Sequence, residues 1–75
     1  MHRDLEDEPT LLGPELRLMR RAKGWTQLRL ARLMAVDPAT IQNWEVGRRG
    51  ISVHIARLLR EVFLKYPAGK KGRPS

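Results

Sequence analysis

A chain of 75 residues, 41% of them apolar, has room for one small domain with a modest core and no large catalytic cleft. It holds no cysteine, which excludes a disulfide framework and thiolate metal sites; no apolar run approaches the roughly 18 residues of a membrane span, and the acidic N-terminus is unlike a signal peptide. The net charge of +7 is split: residues 1–15 carry one basic residue against five acids, residues 16–75 fourteen against three, and a module with that excess favours a polyanion, foremost nucleic acid.

Residues 1–12 read as an acidic, flexible lead whose main apolar content is Leu5, Leu11 and Leu12. Gly13-Pro14 opens a helix, since proline fits a first helical turn. Leu12, Leu16, Met19 and Ala22 give it one apolar face, and Gly24 sits where a helix terminates. Thr26 can cap a second helix, Gln27 to Met34. After the short connection Ala35-Val36, Asp37 and Pro38 start a third, running to about Val46 and ended by Gly47, with Ile41 and Trp44 facing inward together. Arg48-Arg49-Gly50 is a basic loop. Ser52 can cap the fourth helix, in which Ile55, Leu58, Leu59, Val62 and Phe63 recur at helical spacing. Pro67 and Gly69 stop it, and residues 67–75 read as a disordered basic tail. The expectation is an all-α bundle of four short helices with no strand, a fifth helix being left open, and a folded domain over residues 13–66.

Helices two and three, each with its own cap and about three residues between them, have the arrangement of a helix-turn-helix, whose second helix enters the major groove. Spacing alone is weak evidence, because short helix–helix connections are common. The residues are more specific. The pattern Arg20-x-x-x-Gly24-Trp25-Thr26-Gln27-x-x-Leu30-Ala31, then Val36-x-x-x-x-Ile41-x-x-Trp44-Glu45-x-Gly47, closely resembles the lambda-repressor/Cro-like (XRE-type) helix-turn-helix family over roughly residues 13–64.

The resemblance implies roles position by position. Gln27, at the start of helix two, matches a glutamine that bonds a backbone phosphate, which suits the free amides and partial positive charge of a helix N-terminus. Leu30, Ala31, Met34, Val36, Ile41 and Trp44 match core positions. Arg20 and Glu45 match a pair that braces helix one against the recognition helix. Pro38, Ala39, Thr40, Gln42 and Asn43 are the candidate readers. Pro38 and Ala39 offer only apolar contact, naturally to a thymine methyl, whereas Asn43 can grip adenine N6 and N7. Arg48 and Arg49 match a loop that lies on phosphates, which position a domain without specifying sequence. Arg17, Arg21 and Arg29 could add phosphate contacts or remain solvated. Lys70-Lys71-Gly72-Arg73-Pro74 resembles the core of an AT-hook, a short motif with frequent chance matches.

The sequence departs from the family in three ways. Ala35 stands where a glycine at positive φ is usual, so either the turn carries a cost of order 1 kcal/mol or it bends differently and shifts the pose of helix three. Leu18, Leu28 and Leu33 occupy positions usually polar; they can pack on the lead segment or form an apolar patch for a protein partner. The helix that often supplies the dimer contact is missing, so a homodimer is neither required nor excluded. No enzyme signature can be drawn: His2 and His54 have no second ligand at metal spacing, and no phosphate loop or nucleophile-base set is present, so neither catalysis, a metal nor a cofactor is expected. The expectation is a cytoplasmic, nucleoid-associated, sequence-specific transcriptional regulator of prokaryotic or phage type, acting on double-stranded DNA without a membrane. The rival from another class is a helix-turn-helix fold used to bind protein, antitoxin-like or docking on the transcription machinery.

Overall fold

The computed structural model describes residues 11–69. The first ten residues of the acidic lead, and the basic stretch from Lys70 with its AT-hook-like motif, lie outside the described residues. Among the described residues there are four helices and no strand: α1 (Gly13–Ala22), α2 (Gln27–Met34), α3 (Pro38–Glu45) and α4 (Val53–Lys65). Three helices begin on side-chain caps. Thr26 Oγ1 accepts from the Arg29 amide at 3.0 Å, Asp37 Oδ1 from the Ala39 amide at 3.0 Å, and Ser52 Oγ from the Ile55 amide at 3.1 Å. The N-cap of α1, Leu12, has no acceptor on its side chain. Glu15 instead reaches back to the Leu12 amide at 3.0 Å, which is half of a capping box.

The first three helices end alike. In each the chain turns through one residue at positive φ: Gly24 (73°), Ala35 (61°) and Gly47 (83°). In each the next amide bonds the carbonyl five residues back, Trp25 to Arg20 at 3.1 Å, Val36 to Ala31 at 2.9 Å and Arg48 to Asn43 at 2.9 Å. The turning residue itself bonds the carbonyl three back, which completes a Schellman motif. The alanine expected to disturb the turn therefore takes the glycine conformation unchanged, with ψ 42°, and stores the strain rather than reshaping the α2–α3 connection.

The core is built from Leu11, Leu16, Trp25, Leu30, Ala31, Ile41, Trp44, Ala56, Leu59 and Phe63. Met34, Val36, Ile55 and Val62 pack partly buried against it. Trp25 and Phe63 stack with ring centroids 5.2 Å apart, tying the α1–α2 turn to α4. Three side chains do not sit where the helical pattern put them. Leu12 and Ala22 of the expected α1 face are exposed, and Leu11 fills the core in place of Leu12. Leu58 on α4 is exposed, and the small Ala56 is buried where the helix approaches the bundle. Periodicity fixes which residues share a face but not how wide the buried stripe is, and here both stripes are narrower than their apolar content.

Gly13 serves a purpose beyond starting α1. A Cβ at this position would collide with the backbone carbonyl oxygens of Trp44 and Glu45. The first turn of α1 thus lies directly on the last turn of α3, and only glycine allows that approach.

Candidate nucleic-acid interface

Helix α3 packs on α2 and on α1, which leaves one side of it open. Ile41, Trp44 and Glu45 are buried, whereas Pro38, Ala39 and Gln42 are exposed, and Thr40 and Asn43 are half-buried at its flanks. The turn of about 100° per residue brings Pro38, Ala39, Gln42 and Asn43 onto one surface. Val46, 51% exposed, lies on the same surface one turn beyond Gln42 and Asn43. It was not among the expected readers; its place one turn beyond both was the available signal. The outward side of α3 is therefore mostly methyl and ring surface, with two amide side chains among it.

Behind that surface sits one carboxylate with four donors on it. Glu45 is 2% exposed. Its Oε2 accepts from Arg20 Nε at 2.6 Å, and its Oε1 accepts from Arg20 Nη2 at 3.1 Å, Gln27 Nε2 at 3.1 Å and, more weakly, Arg17 Nε at 3.4 Å. The Arg20 fork is bidentate, and its remaining arm donates to the Trp25 carbonyl at 2.8 Å, fixing the α1–α2 turn as well. Burial by itself works against the charge on Glu45. Hydrogen bonds from Arg20 and Gln27, the Arg20 charge and the Arg17 contact outweigh it, and the carboxyl is held below its ordinary value of 4.5. The brace thus joins α1, α2 and α3 through one group. Gln27 and the Arg20–Glu45 pair, which the sequence presents as separate features, are members of a single network.

That network constrains what Gln27 can offer a ligand. Its amide nitrogen donates one proton to Glu45 and carries a second that could serve another acceptor. Arg17, whose side chain is 41% exposed, stands in the same position: one nitrogen rests on Glu45 while its solvent side remains accessible. Past α3, the amides of Arg48 and Arg49 both donate to the Asn43 carbonyl, at 2.9 and 3.3 Å, so the two exposed arginines leave directly from the end of the helix. Over residues 11–69 there are eleven lysines and arginines against four acids, and one of those acids is the buried Glu45.

Leu18 is 68% and Leu28 48% exposed, but Leu33 packs partly buried against the core. Among the described residues no cluster of histidine, aspartate or glutamate could hold a metal ion, and no helix is long and apolar enough to cross a membrane.

Comparison with known proteins agrees with this geometry. No curated protein and no solved structure matches the chain. A family model described as helix-turn-helix matches residues 16–67, from the middle of α1 to just past α4, and so spans the brace, the turn and the open face of α3. The chain belongs to the lambda-repressor/Cro-like (XRE-type) helix-turn-helix family, a family of DNA-binding regulators of transcription.

Proposed function

We propose that this protein is a sequence-specific DNA-binding regulator of transcription that lays α3 in the major groove. The observation that carries the reading is the contrast between the two sides of α3. Its rear is fixed to α1 and α2 through the buried Glu45 network, while its front is left open in a domain with a large excess of basic residues. A helix held at one tilt, with Arg48 and Arg49 leaving from its C-terminal end, suits docking in a groove.

On this reading Gln27 and the first amides of α2 meet one phosphate and the Arg48-Arg49 loop meets others, and these contacts set the register. Pro38, Ala39 and Val46 supply apolar contact, which selects thymine methyls. Asn43 selects adenine, and Thr40 and Gln42 reach base edges or phosphate. Few hydrogen bonds go directly to bases, so discrimination is modest per position. Two copies on a two-fold site would read half-sites about one helical turn apart.

The test is fluorescence anisotropy with a labelled random-sequence duplex, repeated from about 50 to 200 mM salt. With roughly six phosphates neutralised, affinity falls by about a thousandfold over that range. Affinity that does not respond to salt, or no binding at the lowest salt, overturns the reading and leaves the protein-binding alternative.

A further inference from the structure

Three donors share one oxygen of Glu45. Oε1 takes Arg20 Nη2 and Gln27 Nε2, each at 3.1 Å, and Arg17 Nε at 3.4 Å, whereas Oε2 takes Arg20 Nε alone at 2.6 Å. A carboxylate oxygen has two lone pairs, so the two shorter bonds fill Oε1 and Arg17 is the surplus donor. Exposure follows the same division: the side chain of Arg20 is 10% exposed and that of Arg17 41%, over a Glu45 side chain that is not exposed at all. Charge is left over as well. Two guanidinium groups, both permanently charged, lie on one carboxylate. Among the described residues no other acid is paired with either of them, so the cluster carries one uncompensated positive charge, on the arginine that solvent reaches.

We infer that Arg17 and Gln27 together clamp a single phosphate of the DNA backbone, with Arg17 letting go of Glu45 to take it. The inference rests on the DNA-binding reading above and deepens it, since that reading gives the phosphate at the start of α2 to Gln27 and the helix amides alone. Both side-chain nitrogens rest on Glu45 Oε1, so they stand at most about 6.5 Å apart, and two donors at that spacing can each reach an oxygen of one phosphate at about 2.9 Å. The transfer is cheap. Arg17 gives up a long, partly exposed contact of little worth and gains a charge-assisted bond to an anion. Glu45 stays satisfied, because Arg20 and Gln27 keep both lone pairs of Oε1 occupied. Gln27 uses its second amide proton, so its own bond to Glu45 is kept. Glu45 is also the last residue of α3, the end of the helix from which Arg48 and Arg49 leave. The contact is to phosphate, so it strengthens binding without changing which sequence is preferred.

Fluorescence anisotropy on the full chain tests this with Arg17→Gln, Gln27→Ala and the double variant. Arg17→Gln removes the surplus donor only, so its melting temperature changes little. Its slope of log affinity against log salt becomes shallower by about 0.9, so that between 50 and 200 mM salt the parent loses roughly 3.5-fold more affinity than the variant. Arg60→Gln, which removes the same charge from an exposed position on α4, leaves the slope as it is. Because one phosphate serves both donors, the double variant loses at least about twofold less affinity than the product of the two single losses. If the parent binds and Arg17→Gln keeps its slope, or Arg60→Gln flattens it equally, the Arg17 contact is refuted while the role of α3 stands. Single losses that simply multiply in the double variant refute the shared phosphate. A changed preferred sequence in Arg17→Gln refutes a backbone contact. A parent that binds no duplex removes the underlying function, and the clamp with it.

Discussion

Replacing Ala35 by glycine should stabilise this protein without touching its surface chemistry. Ala35 holds the left-handed conformation at φ 61° and ψ 42°, where its Cβ crowds the adjoining carbonyl. That conformation costs a residue other than glycine about 1–2 kcal/mol. Glycine removes the cost but adds flexibility to the unfolded chain, worth about 0.4–1 kcal/mol in the other direction. The methyl itself is exposed, so little packing is lost, and both Schellman hydrogen bonds come from backbone atoms and survive. The balance is a gain of about 1 kcal/mol, or roughly 4–8 °C in melting temperature for a domain of this size. The structure supplies an internal control. Gly47 also has a positive φ (83°) and open space where a Cβ would go, so Gly47→Ala should lose about the same amount for backbone reasons alone. Thermal melts followed by circular dichroism at 222 nm read both. A melting temperature for Ala35→Gly equal to or below that of the parent would refute the claim that this turn is strained.

Glu45→Ala leaves the buried Arg20 without its partner and should cost about 3 kcal/mol, lowering the melting temperature by at least about 12 °C. The same carboxylate makes stability depend on pH. Its pKa is lower folded than unfolded, so its contribution is complete above about pH 4.5 and is lost as pH falls below that through the folded value. Melting curves of the parent should therefore drop between pH 5.5 and 3 more steeply than those of Glu45→Gln, and parallel curves would show that the network carries no such linkage. Gly13→Ala drives a methyl into the carbonyls of Trp44 and Glu45, and overpacking of this kind costs about 1–3 kcal/mol. The variant should also bind DNA more weakly than its residual stability accounts for, because α3 shifts on α1; full affinity in the folded fraction would show that this approach is not needed.

Much of this was readable from the amino acids because the decisive signals are local. Thr26, Asp37 and Ser52 announce helix starts through a single side-chain oxygen, and Gly24 and Gly47 announce ends through a conformation other residues avoid. The family pattern added the pairing of Arg20 with Glu45, which no local rule gives, since 25 residues separate them. Less legible was whatever depends on how two helices meet. Gly13 before Pro14 has a sufficient local explanation as a helix start, which hides its contact with the end of α3. Arg17 and Gln27 converge on the Glu45 oxygen that Arg20 already holds because three helices cross there, and no spacing along the chain encodes that crossing. Leu58 and Leu12 fit their helical periods yet face solvent, because the neighbouring elements cover only part of each apolar stripe. The open face of α3 was legible in its composition, and Val46, already at the end of the expected helix, joins that face one turn beyond Gln42 and Asn43.

The central claim is that the open face of α3 reads bases, and selection from a random duplex pool tests it most directly when the parent and Asn43→Ala are run side by side. The parent should enrich a short site holding thymines and an adenine, and Asn43→Ala should lose the preference at the adenine alone, at a cost of about 1–3 kcal/mol for that base. A parent that enriches nothing, or a variant whose preferred site is identical to the parent's, would contradict the account.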